Sequence, residues 1–188
     1  MSVAKIGHNN GPTMEAGFAF RKYAWGKARA DLIPNLPIEI LKGRVKRAKA
    51  LGLPYKTYAS VRASTGRDVV GFLFSNNALR VMRDGQDTPR SEKLAQVEAT
   101  LTGLVHQPVS PDAVKQTMAA QGLEIFTARA PHFAQSWSDI RVAVQAPLRQ
   151  ANLPLDGVLV IGDTSHERDW SEAARLAGFL TSDAYFEA

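Results

Sequence analysis

The chain has 188 residues, no cysteine and a formal net charge of +5, and 45% of its residues are hydrophobic. This length allows one well-buried core, and the lack of cysteine excludes disulfides, thiol catalysis and sulfur-ligated metal sites. The sequence shows neither a signal-peptide pattern nor an apolar run of about 18 residues, so we expect a cytoplasmic protein that does not span a membrane.

The N-terminal third of the chain predicts an arm and then a helical extension. Residues 1–17 are rich in Gly, Asn and small residues, which is typical of a mobile arm. Residues 18–66 predict helices, the first ending near Leu32 and the second beginning at Pro37. The second helix carries one apolar stripe, formed by Ile38, Leu41, Val45 and Ala48.

The helical extension is strongly basic. Residues 1–67 contain 13 Lys and Arg against three acids, whereas residues 68–188 contain 10 Lys and Arg against 15 acids. Such a segment is typical of a surface that binds nucleic acid, acidic lipid or an acidic partner, of one that faces the acidic half of its own fold, and of a solvated helix face. The candidate nucleic-acid contacts are Lys42, Arg44, Lys46, Arg47, Lys49, Arg62 and Arg67.

From residue 67 onward, buried strands and helices alternate. Apolar runs predict strands at residues 69–74, 123–127 and 158–161, and an edge strand at 179–186. The intervening patterns predict helices at 91–104, 110–121, 133–150 with a break at Pro147, and 167–177. This alternation indicates parallel βαβ units, so residues 67–188 predict a three-layer Rossmann-like α/β domain.

A candidate site follows the strand at residues 158–161. Gly162 and Asp163 come directly after this β-branched run, and ligands of open α/β sheets bind at the carboxyl ends of the strands. Asp163 therefore either binds a ligand or caps the helix that follows.

The carboxyl half resembles the haloacid dehalogenase-like (HAD-like) hydrolases over residues 120–182. The resemblance lies in a strand ending in Gly-Asp, a second acid, and a helix containing Ala-Ala before a Gly. It implies a magnesium site in which Asp163 is joined by Glu167 or Asp169. The run LEIFTAR at 123–129 resembles the family strand whose terminal Thr or Ser binds phosphate, which implies Thr127 as a ligand contact with Arg129 beside it.

The same family ends its first strand in Asp-x-Asp, and this chain does not. The strand at 69–74 is followed by Ser75, Asn76 and Asn77. These side chains replace neither the carboxylate nucleophile nor the anionic oxygen ligands that magnesium prefers. The pattern therefore favours a degenerate site that uses Asn76 and Asn77 to bind rather than to hydrolyse.

Three functions follow from these patterns. The preferred hypothesis is a non-catalytic HAD-like accessory or regulatory protein that binds a protein partner or a phosphorylated ligand. The alternatives are a nucleic-acid-binding protein that uses the basic segment, and a magnesium-dependent phosphohydrolase with a rearranged site of Asp163, Asp169 and Ser75. The degenerate-site hypothesis requires Ser75 and Asp163 to lie at one edge of the sheet, on neighbouring strands.

Overall fold

The computed structural model describes residues 36–187. The chain divides into two units, Met1–Leu41 and Lys42–Ala188, and the fold described here is that of the second. The arm predicted at 1–17 and the helix predicted to end near Leu32 lie outside the described residues. Between residues 36 and 187, no helix is both long and apolar enough to cross a membrane.

The described residues form five strands and seven α-helices. The strands are β1 (Gly71–Ser75), β2 (Thr100–Val105), β3 (Ile125–Arg129), β4 (Val158–Gly162) and β5 (Gly178–Thr181). The helices are α1 (Ile38–Ala50), α2 (Tyr55–Thr65), α3 (Ser91–Ala95), α4 (Pro111–Ala120), α5 (Trp137–Gln150), α6 (Ser165–Ala173) and α7 (Ser182–Phe186).

The five strands form one sheet in the order β3-β2-β1-β4-β5, and every neighbouring pair is parallel. In this register Phe74 of β1 lies opposite Gly103 of β2 and Ile161 of β4. From β1 the chain adds β2 and then β3 on one side of the sheet. It then crosses back and adds β4 and β5 on the other side of β1. The β1/β4 boundary is therefore the topological switch point of the sheet. The prediction of a Rossmann-like parallel α/β fold is confirmed.

Both faces of the sheet are covered by a hydrophobic core. Phe72 and Phe74 of β1 belong to one buried cluster, together with Tyr58 and Tyr185. Leu73, between them, belongs to a cluster on the opposite face. Because successive side chains of a strand point to opposite faces, a strand covered on both sides is apolar throughout. This arrangement explains the continuous apolar runs of β1 and β4.

The helix predicted over residues 91–104 is wrong, because the second half of this segment is β2. Leu94, Val97, Leu101 and Leu104 recur at helical spacing, which is why the periodicity favours a helix. In the structure α3 ends at Ala95, and β2 lies between β1 and β3. The Thr102 hydroxyl is buried and donates to the Phe72 carbonyl oxygen at 2.8 Å. Because this segment contains β-branched residues and a Gly, pairing as a strand stabilises it more than helix formation would.

Further details of the elements differ from the sequence predictions. The edge strand predicted at 179–186 ends at Thr181, because the Thr181 hydroxyl accepts from the Ala184 N–H and caps α7. Helix α5 begins at Trp137 after the Ser136 cap and continues through Pro147 without the predicted break. Of the apolar stripe on α1, Ala48 is buried but the other three residues are exposed.

Candidate functional site

The carboxyl ends of the strands bring polar side chains from distant parts of the chain to one edge, here called the carboxyl edge. Phe74 and Ile161 lie opposite each other on neighbouring strands. Ser75 and Asp163, which follow them, therefore lie at the same edge and on adjacent strands, as the degenerate-site hypothesis requires. His106 follows β2, and Arg129 ends β3.

Glu167 lies at the centre of the carboxyl edge and is fully buried. Its Oε1 accepts from Asn77 Nδ2 at 2.9 Å and lies 3.1 Å from His106 Nε2. Its Oε2 accepts from the backbone N–H groups of Asp163 and Thr164, at 2.6 and 3.0 Å. The carboxylate thus joins the ends of β1, β2 and β4 at the first turn of α6.

These hydrogen bonds keep Glu167 ionised despite its burial. Burial by itself raises the pKa of Glu167. Hydrogen bonds from His106, from the Asp163 and Thr164 backbone and from Ser75 outweigh burial and lower this pKa to about 2. Donors favour the charged form of a carboxylate, so Glu167 carries a fixed negative charge that its neighbours already compensate.

Asp163 is held by a second set of partners and does not cap α6. Thr164 is the cap residue, and its hydroxyl accepts from the Glu167 N–H in a capping box. One Asp163 oxygen accepts from Arg80 Nη1 at 2.9 Å, and the other accepts from the Ser182 hydroxyl. Arg80 also lies 3.4 Å from Asp183. Of the two interpretations of Asp163, capping is wrong.

The polar residues after β1 are occupied by the local backbone. Ser75 is buried, and its Oγ accepts from the Ala78 N–H at 3.0 Å. Asn76 is buried as well; its Nδ2 donates to the Val81 carbonyl and its Oδ1 accepts from the His106 N–H. These groups fix the turn after β1. Asn77 reaches across to Glu167, and the Ser75 side chain also hydrogen-bonds to this carboxylate.

The donor set at the carboxyl edge does not fit a magnesium ion. Both oxygens of Glu167 accept from protein donors, and Asp163 is paired with the Arg80 guanidinium. A magnesium site needs carboxylate oxygens that are free to coordinate. Within residues 36–187, no three His, Cys, Asp or Glu side chains are grouped so that they could hold a metal ion. Asp169 is therefore not brought into a ligand set with Asp163 and Glu167.

Thr127 and Arg129 both lie on β3, but their side chains have different surroundings. Thr127 is in the middle of β3 rather than at its end, and its hydroxyl donates to the Pro111 carbonyl at 3.0 Å. Arg129 is the last residue of β3, and its Nη1 donates to the Val105 and Val109 carbonyls at 3.2 and 2.6 Å. Arg129 lines a cleft of about 370 Å³ at the ends of β2 and β3.

His106 is a component of the site that the sequence patterns miss. Its ring lies 5.3 Å from that of the buried Trp170 and 6.3 Å from that of His166. The residue also lines the cleft beside Arg129. The helical spacing of the β2 residues conceals it, because only a strand ending at Val105 places residue 106 at the carboxyl edge. A strand assignment for TLTGLV would have revealed it.

Part of the basic segment contacts residues of the α/β fold that follow it in the chain. Arg47 donates to Asp68 at 3.2 Å and to the Val69 and Glu98 carbonyls. Arg62 lies 3.6 Å from the same Asp68, and Arg67 pairs with Asp156 at 2.7 Å. Three of the seven candidate nucleic-acid contacts thus pair with acids that follow residue 67. Lys46 and Lys49 are exposed on α1.

Comparisons with protein-family models, with characterised proteins and with solved structures give no match to this chain. The proposed function therefore rests on the geometry of the carboxyl edge. That edge combines a closed polar network at β1 and β4 with an open cleft at β2 and β3.

Proposed function

We propose that this chain is a non-catalytic HAD-like α/β protein that binds a phosphorylated ligand or a protein partner at its carboxyl edge. The observation that carries the proposal is the state of the two acids after β4. Glu167 accepts from side-chain and backbone donors, and Asp163 is bound by Arg80 and Ser182. Acids that are compensated in this way stabilise a surface, whereas a hydrolytic centre needs them free for a metal or a nucleophile.

The HAD-like part of the proposal is supported by the order of the sheet. The switch point lies between β1 and β4, where a family member would place its Asp-x-Asp opposite its Gly-Asp. This chain has Ser75 and Asn77 in place of those two acids. Under this proposal, the chain keeps the position of the motif and lacks its charge.

The same contacts give less support to a phosphohydrolase with a rearranged site. Ser75 Oγ accepts from the Ala78 N–H, and His106 Nε2 faces Glu167. A serine nucleophile needs a general base within hydrogen-bond reach of its hydroxyl. Neither Asp163 nor Asp169 has Ser75 as a hydrogen-bond partner among the described contacts. The carboxylate that does hydrogen-bond to Ser75 is Glu167, and its pKa of about 2 makes it a weak base.

The first experiment measures hydrolysis of p-nitrophenyl phosphate with and without Mg²⁺ by the wild type, Asp163→Asn and Asp169→Asn. We expect no turnover above background in any of the three proteins. Magnesium-dependent turnover in the wild type that Asp163→Asn abolishes would overturn the proposal.

The second experiment restores the missing acids with Ser75→Asp/Asn77→Asp. The added carboxylates face Glu167 at short range, so the variant should gain a magnesium site and be stabilised by Mg²⁺, by about 2.7 kcal/mol at a concentration 100 times Kd. The wild type should show no shift in Tm with Mg²⁺. Asn76→Asp, at the neighbouring position that contacts backbone groups, is the matched control. Equal responses of the wild type and the double variant to Mg²⁺ would count against the HAD-like assignment.

A further inference from the structure

The cleft at the ends of β2 and β3 has the size of a small-ligand site. Its volume is about 370 Å³, and its walls include His106, Arg129, His132 and Gln135. Small-molecule sites fall in the range of about 300–1,000 Å³. No acidic side chain lines this cleft among the described residues.

Arg129 presents fixed donors to the cleft. Its Nη1 donates to the Val105 and Val109 carbonyls, which holds the guanidinium in place. Its Nε and Nη2 have no hydrogen-bond partner among the described contacts. Because a guanidinium offers five N–H donors in a rigid fork, the remaining donors are available to a ligand.

His132 and Gln135 add two further donors. His132 Nδ1 accepts from the Ala134 N–H at 3.2 Å, so Nε2 is the ring nitrogen that is left to donate. Gln135 Oε1 accepts from the His132 N–H at 2.8 Å, which leaves the Gln135 amide N–H₂ without a partner in this turn. A wall of a guanidinium, an imidazole N–H and an amide, with no acid opposite, is complementary to an anion.

An exposed aromatic side chain stands beside these donors. Phe133 is 76% exposed, and its ring lies 4.2 Å from the His132 ring at an angle of 36°. Exposed aromatic surface beside a residue of a polar cleft favours a ligand with a planar apolar group, because aromatic rings stack in offset or tilted geometries.

We propose that this cleft binds an aromatic anion, that is, a planar ring that carries one phosphate or carboxylate group. The anionic group is bound by Arg129, His132 and Gln135, and the ring packs on Phe133. This inference rests on the proposed function, for which it names the ligand class and the place on the carboxyl edge.

The test is an amide NMR titration of the full chain with phenyl phosphate, benzoate and inorganic phosphate. We expect shifts at residues 106–107 and 129–135, with a Kd of about 1 mM or below for the better aromatic anion. Inorganic phosphate should bind at least about 10-fold more weakly, because it lacks the ring. The stronger of phenyl phosphate and benzoate identifies phosphate or carboxylate as the preferred group.

Two variants with matched controls locate the binding. Arg129→Ala should weaken both aromatic anions at least about 10-fold, because it removes the charged donor. Phe133→Ala should reduce the aromatic anion to the affinity of inorganic phosphate. Arg83→Ala and Val142→Ala, which change exposed residues elsewhere, should leave all affinities unchanged. Since Arg129 also binds two carbonyls, Phe133→Ala decides the test if Arg129→Ala does not fold.

The inference is overturned if none of the three probes shifts residues 106–107 or 129–135, or if the ring and Phe133 make no difference to affinity. Shifts confined to residues 75–80 and 163–167 would overturn it and leave the proposed function standing. Conversely, phosphatase turnover lost in Asp163→Asn would overturn the proposed function, whatever the cleft binds.

Discussion

At the ends of β1 and β4, Glu167 and Asp163 are saturated by protein donors, whereas at the ends of β2 and β3, Arg129 and His132 keep donors without partners. These two halves of the carboxyl edge differ in the charge of the side chains that line them. The closed half contains compensated acids, and the open half contains the Arg129 cation and further hydrogen-bond donors around a cleft.

The difference separates a stabilising network from a binding surface. A buried polar group that is fully hydrogen-bonded holds elements together, and removing one partner leaves the others unsatisfied. A donor that faces a cleft and has no protein partner contributes little to folding and remains available to a ligand. Variants in the closed half should therefore reduce stability, and variants in the open half should reduce binding.

The largest effect is expected for Glu167→Ala. The substitution leaves the Asn77 amide, the His106 ring and two backbone N–H groups without their acceptor, so we expect a loss of about 3–5 kcal/mol in the free energy of unfolding. Urea denaturation followed by circular dichroism measures it. Glu172→Ala, an exposed glutamate on the same helix, should change stability by less than about 0.5 kcal/mol. A loss below about 1 kcal/mol for Glu167→Ala would contradict the closed network.

The second prediction concerns the pH dependence of stability. The pKa of Glu167 is lowered from 4.5 to about 2 in the fold, so the unfolded chain binds this proton more readily than the folded one. The corresponding stability is fully present above about pH 5 and is lost as pH falls towards 2, amounting to at most about 3 kcal/mol. The difference in unfolding free energy between the wild type and Glu167→Gln should shrink over this range. If this difference in unfolding free energy stays constant from pH 6 to pH 3, the ionisation of Glu167 does not stabilise the fold.

A smaller effect is expected at Arg80, which has a left-handed backbone with φ of 57°. Arg80→Ala loses the ion pair with Asp163 and keeps the strained conformation, so we expect a loss of about 1 kcal/mol. Arg80→Gly loses the same pair but removes the strain, and should be more stable than Arg80→Ala by about 1 kcal/mol. Thermal unfolding of both variants, with Arg83→Ala as control, tests this order. Equal stabilities of the alanine and glycine variants would contradict it.

The smallest effect on stability is expected in the open half. Phe133 is 76% exposed, so Phe133→Ala should change the free energy of unfolding by less than about 0.5 kcal/mol. Chemical denaturation beside the wild type measures this change. A loss above about 1 kcal/mol would mean that Phe133 belongs to the core, and the contrast between the two halves would no longer hold.

Part of the candidate site could be predicted from the sequence because it depends on single strands. The buried runs of β1 and β4, and the polar residues directly after them, are local patterns, so Ser75, Asn77 and Asp163 could be named as strand-end residues. His106 could not be named, because the apolar residues of β2 have helical spacing and do not predict a strand. Arg80 could not either, since it lies in a turn between β1 and α3.

The sequence by itself determined the parallel α/β class and two of the strand ends, because a strand covered on both faces must be apolar throughout. Tertiary structure alone decided which polar groups meet. Glu167 and Asn77 are 90 residues apart in the chain, and Arg80 and Asp163 are 83 apart. These partners are brought together by the order of the strands in the sheet, and no local pattern contains that order. The same order separates the closed half of the carboxyl edge from the open one.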